Sequence, residues 1–231
     1  MHKFEAFPYI YFYMSNSNYL FSLFSYLSSA TTFIPFIIAF TKRGFLPKEF
    51  KVLWLLLSIS ILTDFLGYVF TFLLKISNLQ LFNLFTLLEL VLLAFMYYVI
   101  ISIKIWKYLI ISFVIIFMLY GLFFVDIWNI KTLNSALLTA ESIFITFLSI
   151  HGFHHLLKHS ENINILSVPF FWINTALIFY FVGNLFLHLF STYLQEHALY
   201  TFYELWGIWH SLLNILFYSL ISIGFWQIKR T

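Results

Sequence analysis

The chain has 231 residues, 62% of them hydrophobic and 9% charged, with a formal net charge of +3. Soluble domains carry about 25% charged residues, so this chain has too little polar surface for water and takes lipid as its solvent. Its polar stretches are too short to hold a soluble catalytic, nucleotide-binding or DNA-reading domain, and no nucleic-acid partner is expected. With no cysteine, disulfides, thiolate nucleophiles and cysteine metal sites are excluded.

A membrane span needs about 20 apolar residues at 1.5 Å rise each. Residues 1–18 are too interrupted for that. Their Tyr- and Phe-rich run FEAFPYIYFYM reads as a segment lying in the outer headgroup zone, where aromatic rings settle. The first span, 19–41, is followed by Lys42 and Arg43, and reads as an uncleaved anchor with no signal peptide before it. Pro35 lies inside it and predicts a kink. Further spans are predicted over 52–74, 80–103, 108–125, 133–157, 168–190 and 202–228. Pro47 and Pro169 fall at helix starts, where a missing N–H costs little. The expected fold is therefore all-α, a single seven-helix membrane domain over 19–231.

Basic residues give this bundle its sides. Lys42, Arg43, Lys48, Lys51, Lys104, Lys107, Lys158, Lys229 and Arg230 lie at every second boundary, and only Lys3, Lys75 and Lys131 at the others. Positive residues gather on the cytoplasmic side, which predicts the N-terminus outside, the C-terminus in the cytoplasm, and a multi-pass protein of the cytoplasmic (inner) membrane. Trp54, Trp106, Trp172 and Trp226 then fall near the inner interface, and Trp128, Trp206 and Trp209 near the outer one.

A shift of 120 residues lays the first three spans over the last three without a gap. Ile101-Ser102-Ile103 meets Ile221-Ser222-Ile223, Trp106 meets Trp226, Asp64 meets Asn184, and Tyr98 meets Tyr218. A parallel 3+1+3 pseudo-repeat with the fourth span as an inverting linker is a transporter plan, with the site between the repeats. Chance alignment of Phe-, Leu- and Ile-rich helices is the alternative.

An ionisable side chain at the bilayer centre costs at least ~2.5–3.5 kcal/mol on insertion scales, so it faces the bundle interior and finds a partner. Asp64, Glu89, Glu141, His188, His210 and Glu204 all fall between the midplane and the outer end. Helical spacing groups them further. Ser60, Asp64, Tyr68 and Thr71 share a face of the second span. Asn174, Phe181, Asn184 and His188 form a stripe on the sixth, and Trp206, His210 and Asn214 one on the seventh. Asp64, Tyr68, Glu89, Glu141, Asn184, His188, Glu204, His210 and Asn214 are thus the candidate ligand-binding set for a cation or an amine. The same residues could instead hydrogen-bond helices together.

At the inner end of the fifth span, His151, His154, His155 and His159 form H-x-x-H-H-x-x-x-H. His151, His155 and His159 are successive i, i+4 neighbours, a spacing that can chelate a divalent metal. They could equally be interfacial histidines beside Lys158 or a pH sensor. No lysine lies within a span, so a retinal Schiff base is excluded. No G-x-S-x-G, H-E-x-x-H or phosphate loop is present.

The intramembrane His and acidic residues resemble, at the level of class, the alkaline-ceramidase type of membrane hydrolase, which has seven spans and a zinc held by Ser, Asp and His. Here H-x-x-x-H sits on the fifth span and not the last, so those ligands do not carry over. Asn83-Leu-Phe-Thr-Leu-Leu-Glu89 and Trp209-His210-Ser-Leu-Leu-Asn214 resemble bacterial seven-helix membrane proteins without an assigned activity, which implies the fold alone. Three functions remain open: a transporter of a small polar ligand or cation, a sensor signalling through its loops to a cytoplasmic partner or a second copy, and a metal-dependent lipid hydrolase. An enzyme ranks last of these.

Overall fold

The computed structural model describes residues 19–125, 133–159 and 164–229, with the side chains of 19–22 and His159 outside that description. The expected interfacial segment 1–18 lies outside the described residues. Among the described residues, seven helices are long and apolar enough to cross a membrane. In chain order, α1 comprises Tyr19–Thr31 and Phe33–Thr41, and α2 is Lys48–Leu74. They are followed by α3, Leu79–Ile100, α4, Lys104–Phe123, and α5, Ser135–His159. The last two are α6, Pro169–His197, and α7, Leu199–Gln227. Among the described residues there is no strand. In lipid this is a requirement, because only a helix or a closed barrel satisfies its own backbone.

Local sequence explains the breaks. Pro35 has no N–H, and its ring crowds the carbonyl four residues back. That carbonyl belongs to Thr31, and the first half of α1 ends there. Pro169 opens α6 in its first turn. The last turn of α2, Val69–Leu74, is π-helical and is closed by Lys75 in the left-handed region at φ 55°. A second π turn, Leu205–His210, lies inside α7. Several helices outrun the predicted spans. α2 starts at Lys48, α4 at Lys104, and α6 continues to His197. Hydropathy registers the hydrocarbon layer, whereas helical hydrogen bonding continues into the headgroup zone.

Six helices form a ring in the order α1, α2, α3, α5, α6, α7, closed by α7 against α1. α4 stands outside it against α3. It touches α5 through Phe113 on Phe144, with centroids 3.7 Å apart, and Trp106 on His151, at 3.8 Å. Small residues allow the close crossings. A Cβ on Gly224 of α7 would lie 2.7 Å from Ile173 and 3.0 Å from the carbonyl oxygen of Pro169 on α6. At the lysine-rich end, the Nζ of Lys42 donates to the carbonyls of Trp226 and Ile228, each at 2.6 Å, which fixes the end of α1 to the end of α7.

The two halves of the bundle differ. Toward the lysine-rich end the interior is solid, with Leu90, Tyr97, Ile173, Phe181, Ile221 and Phe225 fully buried. It contains one sealed polar knot. The Tyr97 hydroxyl meets Ser149 Oγ at 2.7 Å and donates to Asn174 Oδ1 at 2.5 Å, while Asn174 Nδ2 donates to the Ser149 carbonyl at 2.8 Å. The other half encloses a cavity.

Candidate functional site

The cavity measures about 230 Å³ and is walled by all six ring helices, while α4 contributes nothing to it. Phe181 and Leu53 form its floor against the solid half. Of the nine residues expected at a ligand site, six line it: Asp64, Glu89, Glu141, His188, His210 and Asn214. They come from α2, α3, α5, α6 and α7, so the depth shared in sequence becomes one shared chamber.

The carboxyls are unevenly provided for. Glu141 is 1% exposed, and its Oε1 is buried without a hydrogen-bond partner. Glu89 lies close enough to interact with it electrostatically. Asp64 is exposed at the wall of the same cavity. Among the described residues no lysine or arginine lines it.

Both histidines are held by their Nδ1 side. Ser142 Oγ donates to the Leu138 carbonyl at 2.7 Å and sits 2.6 Å from His188 Nδ1. Its one proton is committed to that carbonyl, so the imidazole donates from Nδ1. His210 Nδ1 lies 3.1 Å from Asn184 Oδ1, while Asn184 Nδ2 donates to the Tyr180 carbonyl at 3.0 Å. An amide oxygen only accepts, so this imidazole also donates from Nδ1. In each neutral ring that leaves Nε2 as the basic nitrogen. Asn184 is thus a positioning residue behind His210. Trp206 stacks on His210 with centroids 4.3 Å apart, and the two imidazoles lie 6.4 Å from each other. The π turn carries both Trp206 and His210; such turns recur at functional sites because they re-aim side chains.

Two expected residues lie elsewhere. Tyr68 is 55% exposed and packs on Phe72 at 4.6 Å, away from the cavity. Successive i+4 steps drift about 40° around a helix of 3.6 residues per turn. A stripe that starts inward at Ser60 has therefore rotated off the cavity by Tyr68. Glu204 is half-buried near the start of α7 and does not line the chamber. Asn174, at the base of the α6 stripe, belongs to the sealed knot.

One whole wall of the cavity is built from residues outside the expected set. Ser25, Ser28, Ser29 and Thr32 of α1 line the cavity. Their spacing is i, i+3, i+4, i+7, the face of one helix, and it was available as a signal. Small hydroxyls insert cheaply and so carry no alarm of their own.

In the histidine run, the His151 and His154 ring centroids lie 6.3 Å apart. His151 stacks on Trp106, with its Nε2 buried and without a hydrogen-bond partner, and His154 is exposed. The side chain of His159 lies outside the described residues. Among the described residues, no three His, Cys, Asp or Glu side chains are grouped to hold a metal ion.

No family model matches the chain, nor does any curated protein or solved structure.

Proposed function

We propose that the chain is a transporter that binds a small organic or inorganic cation in the six-helix cavity. The observation behind this is the charge imbalance of the chamber: among the described residues it has three carboxyls, one of them buried with an unpartnered oxygen, and no lysine or arginine. At ~2.5–3.5 kcal/mol each on insertion scales, three acids cost on the order of 8 kcal/mol, comparable to the whole stability of a domain. A bound cation or proton supplies the missing counter-charge. Trp206, Tyr180 and Phe217 on the same wall suit an organic cation, which ring faces attract. The ring order also favours the parallel 3+1+3 repeat, because α1–α2–α3 and α5–α6–α7 follow one another around a shared cavity with α4 outside.

The direct measurement is charge displacement on a solid-supported membrane, using reconstituted protein and jumps of methylammonium and alkali cations. Wild type is expected to give a cation-dependent current, and Asp64→Asn to reduce it at least fivefold. No current with any of these ions, with Asp64→Asn indistinguishable from wild type, would sink the transporter.

Sidedness belongs to the same proposal, with the lysine-rich end in the cytoplasm and the cavity half outward. The absence of cysteine makes single-cysteine labelling clean. Gly44 has open space where a side chain would stand, and Lys75 is exposed at the far end of α2. In intact cells an impermeant maleimide should label Lys75→Cys at once and Gly44→Cys only after permeabilisation. The reverse pattern inverts the topology.

A second reading, a sensor acting through loops at the lysine-rich end, is favoured by the solidity of that half, which a receptor never needs to open. It is distinguished by cation binding that persists without current.

A further inference from the structure

The exposure of the cavity wall is graded from one side to the other. On the far side Glu141 is 1%, His188 3% and Thr86 5% exposed, whereas Ser29 of α1 and Asp64 of α2 are open. The gradient follows the packing. Tyr19–Thr31 packs on α7 and makes no substantial contact with α2; the substantial α1–α2 contact is made by Phe33–Thr41. Among the described residues a cleft between α1 and α2 is therefore left at the depth of Asp64.

The axial route is blocked on the other side. Leu133, Leu138 and Phe202 form a small separate core, with Phe82 and Trp206 packed against it. Four of these five, all but Phe202, also line the cavity. The segment is tied down: Leu133 N donates to Gln195 Oε1 at 2.7 Å, Thr192 Oγ1 donates to the Leu133 carbonyl at 2.9 Å, and Asn134 N donates to Asn83 Oδ1 at 3.2 Å. Among the described residues the chamber thus opens sideways, into the hydrocarbon layer, and not along the bundle axis.

A sideways opening onto lipid selects what can arrive. A hydrated inorganic ion does not travel through hydrocarbon. A single-chain amphiphile with a cationic head does, with its tail remaining in the bilayer. A chamber of about 230 Å³ holds a head and not a whole lipid. The unpartnered Oε1 of Glu141, with Glu89 beside it, gives that head its counter-charge, and the ring of His210-stacked Trp206 gives it a π face. We infer that the ligand of this cavity is a membrane-borne alkyl amine, whose ammonium head enters between α1 and α2 while its chain stays in lipid. This rests on the cation-binding reading above and names its substrate class.

The test uses the full chain in zwitterionic nanodiscs with radiolabelled ethylamine as reporter. Dodecylamine, with dodecanol as the uncharged control, competes at concentrations corrected for membrane partitioning. Dodecylamine is expected to displace the reporter at least tenfold better than either dodecanol or unlabelled ethylamine. Ser29→Trp on α1 and Ile61→Trp on α2, the latter two turns from the Trp54 that packs on Phe36 and Phe40 of α1, should each weaken dodecylamine at least tenfold more than they weaken ethylamine. Thermal unfolding checks that both variants fold. Ethylamine competing as well as dodecylamine, or tryptophan variants affecting the two amines alike, would overturn lateral access while leaving cation binding in place. Failure of wild type to bind any amine would overturn the cation-binding reading as well.

Discussion

Glu141→Gln is expected to weaken amine binding at least tenfold and at the same time make the protein more stable. The side chain is almost fully buried, its Oε1 has no hydrogen-bond partner, and Glu89 is an electrostatic neighbour. A buried carboxyl with an unsatisfied oxygen beside a second carboxyl is destabilising, and replacing it without changing shape recovers part of that cost. Glutamine keeps the volume and offers an amide N–H to the neighbouring carboxyl. A gain of roughly 1–2 kcal/mol is expected, the range for relieving an unsatisfied buried polar group. Affinity moves the other way because the cation loses its deepest counter-charge. Equilibrium binding and thermal unfolding, measured on one preparation, check both signs. A variant that is less stable, or that binds as wild type does, would show Glu141 to be a structural residue. Opposed changes of this kind are what a site carrying strain for function produces.

Asn174→Ala is expected to do the reverse, lowering stability by about 1–3 kcal/mol with amine affinity within twofold of wild type. Interhelical hydrogen bonds in membranes average ~0.6 kcal/mol, up to ~1.7, and Asn174 makes two, one from the Tyr97 hydroxyl and one to the Ser149 carbonyl. The site cannot collapse to compensate. Gly152 faces it so tightly that a Cβ there would lie 3.0 Å from Asn174 Oδ1 and 3.2 Å from the Tyr97 ring. The lost amide volume therefore remains as a void, which adds to the cost. Neither Asn174 nor Tyr97 lines the cavity, so binding should be spared. A variant with unchanged unfolding temperature and lost affinity would couple the knot to the site.

These two residues show what could be read from sequence and what could not. Each is a polar residue on an apolar helix; in sequence Glu141 stands out as ionisable, and Asn174 only as the first member of the α6 stripe. Structure separates them by partners: both polar atoms of the Asn174 amide are hydrogen-bonded, whereas one oxygen of Glu141 is not. Helix number was legible because apolar length and lysine boundaries both report it. The convergence of Asp64, Glu89, Glu141, His188, His210 and Asn214 was legible as a shared depth. Depth leaves rotation about the helix axis open, which is why Tyr68 drifts to the surface. The serine face of α1 stayed hidden because scanning for costly residues overlooks cheap ones. The α1–α2 cleft was not legible at all, since it depends on which neighbours α1 chooses.

The position of α4 has a consequence for how the chain tolerates change. It supplies no part of the cavity wall and stands outside the ring. Its residue identities are therefore replaceable wherever they face lipid, provided the contacts of Trp106 and Phe113 with α5 are kept and Gly121 still leaves room for Leu87 of α3, which a Cβ there would approach to 2.6 Å. Its existence as one crossing is not replaceable. Losing it would turn α5, α6 and α7 upside down relative to α1, α2 and α3, and the acids and imidazoles that now share one chamber would stand at opposite faces of the bilayer. What α4 contributes is parity.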